Sequence, residues 1–281
     1  MRRRLTEGVF HGIALLATLA LLAALGLILW TIAAQGARAL NWTLITQPPT
    51  SGSYTEEGGG GIAHALIGSL YLAGGATLLA LLISVPAALY LRVYASSWFA
   101  GAVRLLMDVL WGVPSIVFGA FGFTLMLLVG LRASLLAGII TVALFELPIM
   151  IRAIDEVMTM APRELEEAAY SVGATRAETA VRVIMKQALP GIVTGVLLAF
   201  GRGIGDAASV MFTAGFTDHI PTGVMDKAAT LPLAIFFQLG TPFAHAHERA
   251  YGAALLLVIL VLMTSVVARV ISARLGRYSV Q

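Results

Sequence analysis

Arg202 is the residue in this sequence best suited to chemistry inside an apolar environment. It stands in a long hydrophobic run between Gly201 and Gly203, with Gly205 and Asp206 just beyond. Counted from Pro190 at about 1.5 Å per residue, it lies about 18 Å along a helix, near the midplane of a bilayer. An arginine at that depth costs about 2.5–3.5 kcal/mol on insertion scales, so it needs a partner or a water-filled cavity. A continuous helix brings Asp206 onto the same face one turn later. Two readings follow. The pair either locks spans together, or Arg202 binds a passing oxyanion that Asp206 holds or releases. A guanidinium suits the second role because its planar fork matches oxyanion geometry and it stays charged. Glu146, a second acid near mid-membrane, is a candidate partner for Arg202.

Other residues offer weaker chemistry. Gly112-Val113-Pro114-Ser115 interrupts an apolar run. Ser115 then opens either a new half-helix, whose free N–H groups favour an anion, or the far side of a simple kink. Arg152 and Glu156 sit one helical turn apart at the end of another run, where arginine commonly snorkels. Gly191 and Gly195 have the GxxxG spacing of close helix packing. His245 and His247 belong to a polar loop and read as solvated rather than as metal ligands. With no cysteine, no paired catalytic histidines and no serine beside an evident base, we assign no catalytic residue, metal or cofactor, which argues against an intramembrane enzyme. The two lysines, Lys186 and Lys227, follow Met185 and Asp226, so no GxxxxGK[ST] phosphate loop is present. Uphill transport therefore needs an engine on another polypeptide.

These residues must be positioned by membrane helices. The 281 residues are 59% hydrophobic and 12% charged, against about 25% charged in soluble chains. The net charge of +3 is spread without a basic tract, so nucleic acid is not expected as a partner. Six segments approach the about 20 apolar residues that a bilayer requires: 9–34, 66–91, 105–130, 134–155, 189–216 and 251–273. The first is too long for a signal-peptide core and reads as an uncleaved span. Arg2, Arg3, Arg4, Arg92, Arg104, Arg152, Arg163, Arg176, Arg182, Lys186, Arg269, Arg274 and Arg277 fall on one side, Arg38, Arg132, Lys227 and Arg249 on the other. The excess marks the cytoplasmic side and places both termini there. Residues 1–65 form an anchor helix and outer loop, 66–273 the core and 274–281 a tail. The outer loop ends in Glu56-Glu57 and Gly58 to Gly61, a flexible or turn-rich approach. Leu231 to Leu239 reads as a re-entrant or interfacial helix.

The cytoplasmic connection has its own design. Pro162 and the acids after it suit a helix start, and Leu165, Ala168, Ala169 and Val172 form an apolar stripe. Gly173 is a natural stop. Thr175-Arg176-Ala177-Glu178 matches a capping box and opens a second short surface helix.

Glu167-Ala168-Ala169, followed by Gly173, resembles the EAA signature of ABC importer permeases. Leu189-Pro190 arrives four residues later than in the general signature, as in the phosphate permease variant. Gly60-Gly61-Ile62, Gly112 to Val117, Leu147-Pro148 with Arg152 and Glu156, Arg202 to Asp206, Phe212-Thr213-Ala214 and Leu231-Pro232 extend the resemblance. Asp206 stands where that family usually has glutamate. The resemblance is to the phosphate ABC transporter permease family, A-type more than C-type. It implies an all-α, six-span MetI-like fold in the inner membrane. It also implies a C-type permease partner, two ATP-binding cassette subunits and an extracytoplasmic phosphate-binding protein. By the same resemblance, Glu167, Ala168, Ala169 and Gly173 in loop 161–190 couple to the ATPase. Arg202, Asp206, Arg152, Glu156 and Ser115 then belong to the substrate pathway. Molybdate, tungstate or sulfate import is the alternative within the family, and an ion-coupled carrier using Asp206 and Glu146 the alternative outside it.

Overall fold

A computed structural model describes residues 2–50 and 59–275, so the expectations for Glu56, Glu57, Gly58 and most of the tail fall outside the described residues. Among them the chain is helical, with one isolated bridge between Pro49 and Gly60. Helix α1 (Arg2–Ala39) is followed by a short α2 (Trp42–Thr46), whose first turn is capped by the Asn41 side chain. Helix α3 (Ala63–Val93) and helix α6 (Leu135–Thr159) are the buried pair at the centre. Ala73, Ala76 and Ala80 on α3 are fully buried, and such small side chains let helix backbones approach where lipid offers no hydrophobic drive.

Between them lies a break rather than a kink. Helix α4 (Ser97–Trp111) and helix α5 (Ser115–Leu128) meet at 102° across Gly112-Val113-Pro114. This is the half-helix reading of that motif, and α4 begins eight residues before the expected span. Proline at 114 cannot continue the α4 ladder and stands as the N-cap of α5.

Helix α7 (Arg163–Ser171) is the first helix of the long connection, and no side chain on it is buried. Beyond Gly173 the expected second surface helix is absent as a separate element. The Thr175 capping box is present, but α8 (Arg176–Thr179) runs through a π-helical turn (Ala180–Ile184) into α9 (Met185–Ile204). These form one helix, Arg176–Ile204, of 29 residues. A second correction concerns its far end. The span expected to reach residue 216 stops at Ile204, because Gly205 ends the ladder and residues 205–230 follow an irregular course. Non-helical backbone at membrane depth persists only where protein or a cavity surrounds it. Here Ser209, Val210, Thr213 and Ala214 are buried. Helix α10 (Leu231–Leu239) forms over the expected residues and packs between α3 and the last helix, α11 (Ala244–Leu275), with Leu231 N–H donating to Ser69 Oγ at 2.8 Å.

Among the described residues five helices are long and apolar enough to cross a membrane, six if the bent α4–α5 pair counts as one span. Arg38, Arg132, Lys227 and Arg249 lie toward the end of the bundle where α3 and α6 begin. Arg92, Arg152 and Arg163 lie toward the α7 end.

Candidate functional site

Two helix interruptions, the end of α9 and the α4–α5 break, come together at half depth. Gly203, in the last turn of α9, packs against Glu146, near the middle of α6, and Glu146 touches Thr77, near the middle of α3. The end of α9 therefore lies at the depth of the bundle's centre, where the sequence count placed Arg202. The α4–α5 break is nearby. Phe118, one turn into α5, packs edge-on to Phe145 of α6 at 5.6 Å between ring centroids.

Arg202 lies over that same Phe145 ring, its guanidinium carbon 4.8 Å from the centroid, and is exposed on the surface of this chain. Among the described residues no carboxylate comes within ion-pair distance of it. Neither acidic partner considered from the sequence is in place. Glu146 turns away toward Thr77. Asp206 is not one turn further along the same face, because the helix has ended. Its Oδ2 instead accepts the Ser209 N–H at 2.9 Å and starts the next turn. A cation over an aromatic face gains about 0.5–2 kcal/mol, less than the about 2.5–3.5 kcal/mol of inserting an arginine. The residual favours an additional anionic or aqueous contact. Because the helix ends at Ile204, the guanidinium projects from the last turn of a helix that stops inside the bundle, and helix ends within membrane bundles are places where solutes bind.

Arg152 and Glu156 are together but are not at this site. They stand two to three turns further along α6, toward α7. Arg152 bonds Asp108 of α4 at 2.8 Å and Glu156 at 3.1 Å, with Asp155 at 3.6 Å. Asp155, almost wholly buried, takes a bidentate contact from Arg104 of α4 at 2.7 and 2.9 Å. This cluster braces α4 to α6 just below the break. Sequence reasoning missed Asp108, Asp155 and Arg104. The i, i+3 spacing of Arg152 and Asp155 was the available signal, whereas nothing in the sequence linked them to α4. Ser115 opens α5 at the break itself. The concave side of the bend encloses about 500 Å³, but Val113, Val117, Phe121 and Leu144 give it an apolar wall, unsuited to an oxyanion.

At the other end, Glu167 and Ala168 are exposed and Ala169 half-buried, while Val172 is 84% exposed. Leu165 and Ala169 are half-buried, so among the described residues the apolar stripe of α7 is only partly covered. Gly173 adopts φ +84°, and the Gly173 and Ala174 N–H groups return to Tyr170 and Ala169 carbonyls, closing the helix as expected. Glu166 forms an ion pair with Arg92, tying α7 to the end of α3.

An apolar helical bundle with the broken α4–α5 pair, a mid-depth arginine and a partly uncovered surface helix is the build of a polytopic permease subunit. Residues 80–277 match the family described as "binding-protein-dependent transport system inner membrane component". A phosphate transport system permease protein PstA 1 of Mycobacterium tuberculosis is 34% identical, over 96% of this chain and 90% of its own. The PstA permease protein of Yersinia pestis is 34% identical over 83% and 77%. Among solved structures, a bacterial alginate ABC transporter bound to its periplasmic protein superposes with a TM-score of 0.66. The match covers 97% of this chain and 96% of that one, at 14% identity, which shows a shared fold. The chain belongs to the binding-protein-dependent permease family, in its PstA-type branch.

Proposed function

We propose that this chain is the membrane permease subunit of an ATP-driven importer of inorganic phosphate, in which Arg202 supplies a transient oxyanion site. The observation that carries this reading is the placement of Arg202. It stands at half depth, in the last turn of α9, over Phe145 and without a carboxylate in ion-pair range among the described residues. A structural lock would show the opposite, a guanidinium saturated by acids, as Arg152 is.

The family and this geometry support the remaining parts of the reading. A homologous C-type permease completes the pathway. Two ATP-binding cassette subunits dock on the cytoplasmic side, where α7 presents Glu167, Ala168 and Ala169. A phosphate-binding protein delivers the anion on the outer side, and both termini are cytoplasmic. ATP-driven closure moves α7 and rocks the bundle between inward- and outward-open states. Asp206 organises the turn beyond α9, keeping the passage beside Arg202 from closing into helix. Ser115 opens α5 at the break on the same route, while Arg152 and Glu156 brace α4 to α6 beside it. Phosphate is favoured over other oxyanions by the PstA-type relatives.

The test is Arg202→Gln in the assembled complex, with the binding protein present. Phosphate uptake falls to background while the subunits still co-purify. Uptake within two-fold of the parent removes Arg202 from the mechanism. Phosphate, sulfate and molybdate binding by the partner receptor separates the cargoes.

A further inference from the structure

Glu146 is fully buried near the middle of α6, in the centre of a membrane bundle, and the transport reading above gives it no task. Thr77 Oγ1 donates to its Oε1 at 3.3 Å, and among the described residues Oε2 has no hydrogen-bond partner. Burying a carboxyl with an unmet oxygen lowers stability relative to an apolar side chain of the same size. Its presence calls for a role other than filling space.

The geometry points to that role. We infer that Glu146 is the positioning residue for Arg202, fixing the terminal turn of α9 by seating its carboxyl against the backbone of Gly203. A Cβ at position 203 would collide with Glu146 Oε1, so only glycine lets the acid sit where it does. The adjacent residue on α6, Phe145, carries the guanidinium on its ring. Consecutive α6 residues thus hold consecutive α9 residues: Phe145 under the side chain of 202, Glu146 against the main chain of 203. Thr77 closes the arrangement from α3, so the end of α9 is set by both central helices. An unsupported helix end frays, and a fraying turn would spread the guanidinium over many positions. The Thr77 hydrogen bond holds the acid in one rotamer, which a merely bulky side chain would not do.

The inference rests on Arg202 as the anion donor, and the experiment separates the two. The chain has no cysteine, so Gly205→Cys gives a single reporter on this subunit just past the end of α9. Gly205 is exposed, and a Cβ there meets only ordinary contacts. In complete complexes, the rate of thiol labelling at 205 and phosphate uptake by the Gly205-intact proteins are measured for Glu146→Gln and Glu146→Met. Gln keeps the volume and the acceptor for Thr77, so labelling and uptake stay within two-fold of the parent. Met keeps the volume without the acceptor; labelling rises at least three-fold and uptake falls about ten-fold. Thr77→Val follows Met in direction.

If Met matches the parent, Glu146 only fills space and the inference fails. It fails equally if Gln is as damaging as Met, since the charge and not the placement then matters. Labelling that is flat across the series, with uptake still abolished by Arg202→Gln, overturns the positioning role alone. Labelling that follows the series while Arg202→Gln transports normally supports the positioning role and overturns the anion site.

Discussion

Asp155→Asn tests whether the cluster below the break is a brace. Asp155 is 2% exposed at its side chain and holds Arg104 through two hydrogen bonds, with Arg152 close behind. Asparagine removes the charge and turns an NH2 donor toward one guanidinium nitrogen, leaving two cations facing each other. Breaking a buried pair by removing one partner costs about 3–5 kcal/mol. Arg104 and Arg152 are about a third exposed, so the lower bound of about 3 kcal/mol applies. That is about a hundred-fold in the equilibrium that docks α4 on α6. Asp108 is the control. Its side chain is 48% exposed, and Arg152 keeps Glu156 without it, so Asp108→Asn costs about 0–1 kcal/mol. Ala100, buried at 3% in the small cluster with Leu91 and Ile151, reports the docking when replaced by cysteine. Its thiol-labelling rate tracks the open fraction when reclosing is fast. Labelling rises about a hundred-fold in Asp155→Asn and less than five-fold in Asp108→Asn. The pair Arg104→Met with Asp155→Leu returns it toward the parent, because Arg152 retains its own acids. Equal effects from Asp155→Asn and Asp108→Asn would refute the brace.

Two further outcomes follow from the surface elements. Gly173→Ala puts a Cβ on a residue at φ +84°, where nothing lies within 4 Å, so the cost is backbone strain of about 1–2 kcal/mol rather than a clash. In parallel assays the complex keeps hydrolysing ATP but moves less phosphate per ATP; unchanged stoichiometry contradicts the coupling role of that turn. Asp226 accepts hydrogen bonds from the Thr222 hydroxyl and the Thr222 and Gly223 N–H groups, which hold its carboxyl below the ordinary aspartate value. A lowered native value means the contribution is full above the unfolded value of about 3.9 and is lost as pH falls through the native one. Hydrogen exchange at Thr222 and Gly223 therefore accelerates only in strong acid, whereas Asp226→Asn shows fast exchange already at pH 7.

Length and charge made the six-span plan legible, since lipid tolerates little besides long apolar helices. The break at Gly112 to Ser115, the stop at Gly173 and the close approach at Gly191 were also readable, because glycine and proline act through the backbone. The end of α9 was not. Residues 205–216 are as apolar as a span, and hydropathy cannot distinguish a helix from irregular chain buried among other helices. The same blindness hid the continuity of residues 176–204. A good capping box marks where a helix starts and carries no information about how far it runs. The acids on α4 and α6 escaped for another reason, as their pairing depends on a tertiary contact between positions 44 to 51 residues apart.

That misjudged continuity changes how the docking helix and the arginine are related. Two surface helices and a separate span would leave α7 and Arg202 joined by a flexible loop. The chain instead places them near opposite ends of one rod. From Arg176 to Arg202 is about 39 Å at 1.5 Å per residue, and only the four residues Val172 to Thr175 separate the start of that rod from α7. A helix transmits displacement along its axis with little loss, while a glycine in the left-handed region allows the angle between α7 and the rod to change. The π-helical turn at Ala180–Ile184 is the weak section, because it departs from the regular hydrogen-bond ladder. On the proposed function, a push on α7 therefore reaches Arg202 through α8 and α9, and reaches the central pair separately through the Arg92–Glu166 tie to α3. The two routes meet where Glu146 and Thr77 hold the end of the rod. Access to the anion site then changes by movement of that end against α3 and α6, and it is at this contact that the drive from the ATPase must be spent.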